Sequence, residues 1–127
     1  PYEKIVNGSI IEKTEVELIS EGIKEMPIGK KMAEDGLSLI DMTSEEKYNA
    51  GIYSLEKYSS IIRNKRDTLI QEILWRVERY QTQTALGITP NDSETMYIKI
   101  LQYIQALRDI TTQNTFPIVV WPVLEDN

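Results

Sequence analysis

The sharpest chemical reading in this chain belongs to Pro1. A secondary amine at a chain start is the general base of tautomerase-like enzymes. The competing account is that initiator methionine is readily removed before a small residue, which leaves a proline exposed for no catalytic reason. Those enzymes follow the proline with a strand and a long helix, whereas here Asn7-Gly8 marks a turn. Paired acids are the other route to catalysis, and the chain has Glu34-Asp35, Glu45-Glu46 and Glu125-Asp126. Glycosidases hold two carboxylates about 5–9 Å apart across a sugar in a concave site. Adjacent acids on a turn, at a helix start and in a tail are instead solvated, and Glu45 and Glu46 suit the positive end of a helix dipole. The chain has no histidine and no cysteine. That composition removes Ser-His-Asp triads, Cys-His pairs, thiolate or imidazole zinc sites and disulfides. No Gly-rich phosphate loop, EF-hand spacing or HExxH motif is present. The reading is therefore of a non-enzyme with no catalytic residue, no metal site, no cofactor and no small-molecule substrate.

Binding chemistry remains. Trp75, Tyr80, Tyr97, Tyr103 and Phe116 are expected in the core, because aromatics at helical spacing are most often buried. Trp121 is open between core packing and an anchor offered to a partner. Arg66-Asp67 and Arg108-Asp109 read first as structural ion pairs or helix caps, with an interface contact as the alternative. An Arg fork can also tie an extended strap to a helix through its carbonyls. The candidate partner-binding set is Trp121, Phe116, Arg108, Asp109 and Arg66.

These side chains need elements to position them. Ile5-Val6-Asn7-Gly8-Ser9-Ile10-Ile11 has apolar runs flanking Asn-Gly, the preferred pair of a type I′ hairpin turn. Lys30 to Ile40 repeats the idea with Asp35-Gly36 at the turn, 28 residues later. Each hairpin is followed by a capping box, Thr14-x-x-Glu17 and Thr43-x-x-Glu46, that opens a short helix. Gly22 and Gly51 stop the two helices, each eight residues after its capping Thr. The segment from Ile23 to Gly29, with Pro27, joins the two units.

The second half is helical. Ser54 caps a helix from Leu55 with Ile62, Leu69, Ile73, Val77 and Tyr80 at helical spacing, Leu86 near its end and Gly87 to stop it. Its polar face carries Arg63, Lys65, Arg66, Arg76 and Arg79. After Thr89-Pro90-Asn91-Asp92, a helix from about Ser93 to Thr111 aligns Tyr97, Ile100, Leu101, Ile104, Leu107 and Ile110. The short loop implies antiparallel packing. Phe116-Pro117 and Trp121-Pro122 favour an extended strap, and Ile118-Val119-Val120 is open to an edge strand. The predicted class is α+β: two β-hairpin/short-helix units in residues 1–53, then an antiparallel helical hairpin and extended C-terminal strap in residues 54–127.

The net charge of −6 lies mostly in residues 1–60, with 12 acids against 7 bases, whereas residues 61–127 have 8 against 7. Such a surface repels nucleic acid. Charges break each apolar run too early for a membrane span, and the start shows no signal-peptide pattern. The expectation is an intracellular product, or one carried out of the cell in a particle.

The run Tyr103-x-x-Ala106-Leu107-Arg108-Asp109-Ile110, followed by Gln113, Phe116-Pro117 and Val120-Trp121-Pro122, resembles the C-terminal signature of phage tail fibre assembly proteins and related tail assembly chaperones. Upstream, Arg66-Asp67-x-Leu69 opens a stretch carrying Trp75, as in that family, although Leu74 stands where an acid is usual. The resemblance covers about residues 63–122. It implies a partner, a phage tail fibre protein that is trimeric in that family's pattern, which the chain helps to fold, trimerise or assemble, sometimes staying at the fibre tip. It also implies residence in the bacterial host cytoplasm during assembly, or in the virion tail. The alternatives left open are a permanent component of a tail or baseplate and, third, an enzyme using Pro1. In the first reading the helical half is the chaperone-like part, and residues 1–53 offer hairpin edges for β-augmentation.

Overall fold

Asn7 and Gly8 both take positive φ, 52° and 79°, and the chain reverses there as a two-residue turn must. In the computed structural model, which describes residues 1–126, strands β1 (Glu3–Val6) and β2 (Ser9–Glu12) pair antiparallel across it, with Lys4 opposite Ile11 and Ile5 opposite Ile10. Thr14 caps α1 (Glu15–Ser20) by accepting from the Glu17 amide at 3.2 Å. The second unit repeats the plan with β3 (Lys30–Met32), β4 (Leu39–Asp41) and α2 (Ser44–Asn49), where Lys31 lies opposite Ile40 and Met32 opposite Leu39.

The two copies share their bonds as well as their outline. Lys4 binds the Glu17 carboxylate, and Lys31 binds that of Glu46 at 2.7 and 2.8 Å. The Lys13 amide donates to the Tyr2 carbonyl and the Met42 amide to the Gly29 carbonyl, at 2.8 and 2.9 Å. Both helices end on a glycine of positive φ, Gly22 at 73° and Gly51 at 78°. The second turn differs from expectation. Asp35-Gly36 is not a two-residue turn: the Ala33 amide reaches the Ser38 carbonyl at 2.9 Å, and Asp35 caps the Leu37 amide at 2.9 Å. Only Gly36 there has positive φ, and type I′ demands it at both central residues.

The chain divides into two compact units, Pro1–Tyr53 and the part from Ser54 onward. In the latter, Ser54 caps α3 (Leu55–Ala85), 31 residues and about 46 Å long, which Gly87 terminates. α4 (Glu94–Arg108) has 15 residues, about 22 Å, and folds back on the C-terminal part of α3. Val77, Met96, Ile100 and Ile104 form the core between them, joined by Ile70, Ile73, Leu74, Tyr97 and Leu124. Tyr80 and Tyr97 stack with centroids 3.9 Å apart.

Several expectations shift. α4 stops at Arg108, and Ile110–Thr112 forms a 3-10 turn: the Asp109 amide still bonds the Gln105 carbonyl, but the Asp109 carbonyl accepts from Thr112, three residues on rather than four. Met96 is buried where the expected stripe named Leu101, which is exposed. Trp75 is 54% exposed rather than core, since Ile73, Leu74 and Val77 already occupy the inward arc beside it. Phe116-Pro117 lies in a turn with a cis peptide rather than in the extended part, and Ile118-Val119-Val120 forms no strand, because the Gln113 side chain takes the Val120 backbone groups.

Candidate partner-binding surfaces

The tail after the 3-10 turn gathers most of the residues singled out by the sequence. Gln113 acts as a side-chain clamp: its amide nitrogen donates to the Val120 carbonyl and its oxygen accepts from the Val120 amide, both at 2.9 Å. The loop it closes is pinned inside by Thr115, whose hydroxyl donates to the Ile118 carbonyl at 2.6 Å, and by buried Pro117. Beyond the clamp the strap runs along α3 in the same direction as that helix. Arg63 stacks on Phe116 at 5.3 Å, Lys65 on Trp121 at 4.5 Å, Leu124 reaches the α3–α4 core, and Arg76 binds Asp126 at 2.9 Å. Cation–π contact and apolar burial thus fasten a segment that has no strand partner among the described residues.

Arg76 is the junction of this unit. Its guanidinium makes two bonds to Asp92 in the α3–α4 loop, at 2.6 and 3.2 Å, while also reaching Asp126. The Arg76 and Asp92 side chains are only 12% and 10% exposed. A fork of five donors suits two carboxylates at once. The hydrogen bond from Arg76 holds the Asp92 carboxyl below its ordinary range against the opposing effect of burial. Arg79 adds a bond to Asp92 at 3.2 Å and lies 4.8 Å from the Trp75 ring.

The five candidate residues separate. Phe116 and Trp121 come together with α3 through Arg63 and Lys65. Arg66 is paired with its neighbour Asp67 at 2.9 Å. Arg108 and Asp109 are exposed at the end of α4, and no ion pair joins them among the described residues; Gln105 donates to Asp109 at 3.2 Å. Gln113, Arg76 and Asp92 were not in the candidate set. Gln113 lies within the signature run, but a glutamine's spacing does not announce a backbone clamp. For Arg76 and Asp92, a lone Arg on a polar helix face and an Asp in a turn carry no pairing signal.

Pro1 is exposed at the edge of a shallow hollow of about 290 Å³ with Glu3, Lys4, Ile5 and Ile10. Between α4 and the strap lies a second groove, about 410 Å³, lined by residues that include Tyr103, Ala106, Pro122 and Leu124. Among the described residues no group of three or more acids is placed to hold a metal ion, and no helix is long and apolar enough to cross a membrane.

A helical hairpin with its tail strapped along the longer helix defines the class of module. The family model for phage tail assembly chaperone protein matches residues 59–124, more than half of the chain, and the chain belongs to that family. Neither the curated proteins nor the solved structures gave a match. The matched span takes in nearly all of α3, all of α4 and the strap to Leu124. Membership implies an assembly protein rather than an enzyme, with a phage tail protein as its partner.

Proposed function

We propose that the chain binds a phage tail fibre protein in the bacterial host cytoplasm, assists its folding, trimerisation or assembly, and can remain at the fibre tip in the virion tail. The observation that carries this reading is that the family match coincides with the strapped helical hairpin, so the part held in common is a complete structural unit. In this reading α3, α4 and the strap form the chaperone domain, and residues 1–53 form a second partner-binding subdomain. Arg108 and Asp109 are free to contact the fibre from the end of α4. Phe116 and Trp121 act by fastening the strap to α3 through Arg63 and Lys65, and Arg66 offers a further contact from the surface of α3. The two hairpins offer unpaired strand edges to the partner.

Co-expression with the fibre protein of the same phage or prophage tests the reading. Soluble fibre obtained only with the chain present is the expected result; equal solubility without it contradicts an assembly role. Stoichiometric retention in purified particles after a high-salt wash would instead mark a permanent tail component.

A further inference from the structure

The internal repeat makes each residue of the first hairpin comparable with one of the second. Glu3, Ile5, Ile10 and Glu12 share one face of the first hairpin, and Lys30, Met32, Leu39 and Asp41 share the matching face of the second. The opposite faces are equivalent too, each sending its lysine to the capping-box Glu of its own helix. The environments of the first pair of faces differ. The second hairpin's face forms one wall of a cleft of about 390 Å³, with Lys30 and Leu39 on one side and Thr14, Glu15 and buried Val16 of α1 on the other. Met32 and Leu39 are half-buried. On the first hairpin Ile5 and Ile10 are 74% and 69% exposed, directly opposite each other, above the hollow bordered by Pro1 and Glu3. Among the described residues of the Pro1–Tyr53 unit, no helix takes beside the first hairpin the position that α1 takes beside the second.

We propose that the Ile5/Ile10 face docks the helix of another hairpin–helix repeat, carried by a partner chain, with an apolar side chain laid over Ile5 and Ile10 and a lysine or arginine beside Glu3 and Glu12. The charge requirement follows from the register. Glu3 and Glu12 are directly opposite, and like charges so placed repel. At the second hairpin the same two positions hold Lys30 and Asp41, paired at 2.7 Å, with Glu15 lining the cleft. A helix approaching the first hairpin meets two acids and no base at these positions, so complementarity asks for a cation where α1 has Glu15. A second copy of this chain is a poor occupant. Its α1 already lies beside its own second hairpin, and α2 has exposed Glu45 at the position of Val16. α2 thus presents a charge where α1 presents an apolar side chain. This surface does not depend on the assembly reading, although it gives that reading a place for a partner to engage.

The test extends the full chain at its N-terminus by a copy of residues 1–27 in which Glu15 is replaced by Lys, which keeps the repeat in register. Amide hydrogen exchange is then read in the original β1 and β2. The expected result is slowing by about tenfold relative to the unextended chain, as local opening becomes coupled to the added contact. Unchanged exchange overturns the proposal. Ile5→Glu with Ile10→Glu, in the extended chain, is expected to restore the unextended rates; persisting protection would place the contact elsewhere and overturn it. Light scattering of the unextended chain gives the remaining arm. A mass unaffected by Ile5→Glu is expected, and a dimer dispersed by that substitution would assign the face to a second copy instead.

Discussion

At the scale of residues, Glu17 and Glu46, in the first turns of α1 and α2, do more than open a helix. Glu46 accepts from Lys31 and from the Thr43 amide, and these bonds, the lysine first, bring its carboxyl from an ordinary 4.5 to about 2. A folded-state value below the unfolded one stabilises above the unfolded value, and that stabilisation is lost as pH falls through the folded value. The second hairpin should therefore hold from neutrality down to about 4.5 and loosen between there and about 2. Amide exchange of β3 and β4 across that range checks this, and Glu46→Gln should flatten the dependence. A different residue-scale prediction concerns Arg76. Arg76→Ala leaves the Asp92 carboxylate buried without its main partner, at a cost of about 3 kcal/mol in urea unfolding. Asp126→Asn, at an exposed end of the same network, should cost less than about 1 kcal/mol. Equal losses would mean that the tail, not the loop, is the anchor of that guanidinium. Neither network was legible in the sequence as a pairing, because an ion pair across 16 residues depends on where a loop returns the chain.

Elements were more legible than their fastenings. Thr14, Thr43 and Ser54 each cap the helix expected of them, since a cap is a local pattern of three or four residues. Asn7-Gly8 fixed its hairpin for the same reason. Asp35-Gly36 misled because the same dipeptide also fits a longer loop, where its side chain caps an amide and only the glycine needs positive φ. Trp75 misled because helical spacing gives a residue's angle but not how wide the buried arc is. The strap was foreseen, but not the clamp that shapes it. Gln113→Ala removes both bonds to Val120 and should cost about 1–3 kcal/mol, with faster exchange of the Val120 amide as its local sign. Trp121 tests what the strap is for. Trp121→Ala that lowers stability and leaves fibre binding unchanged marks it as packing over Lys65, the outcome expected from the contact seen; normal stability with weakened binding would make it an anchor.

At the scale of the whole molecule, the chain joins a family-matched helical unit to a repeat unit outside that match. The change was legible near residue 54, where hairpin signals give way to helical periodicity. What the repeat lacks on its open face was not, because exposure of Ile5 and Ile10 depends on what packs against them. A chain lacking residues 1–53 should keep the helical content and cooperative unfolding of α3 and α4, whose core lies wholly within Ser54 onward. Loss of that transition would make the units interdependent. The central claim, assistance to a tail fibre, is tested most directly by size-exclusion chromatography with light scattering on the fibre protein, co-expressed with and without this chain. The account predicts a soluble species of trimer mass only when the chain is present. A trimer of the same yield and mass in its absence would contradict it.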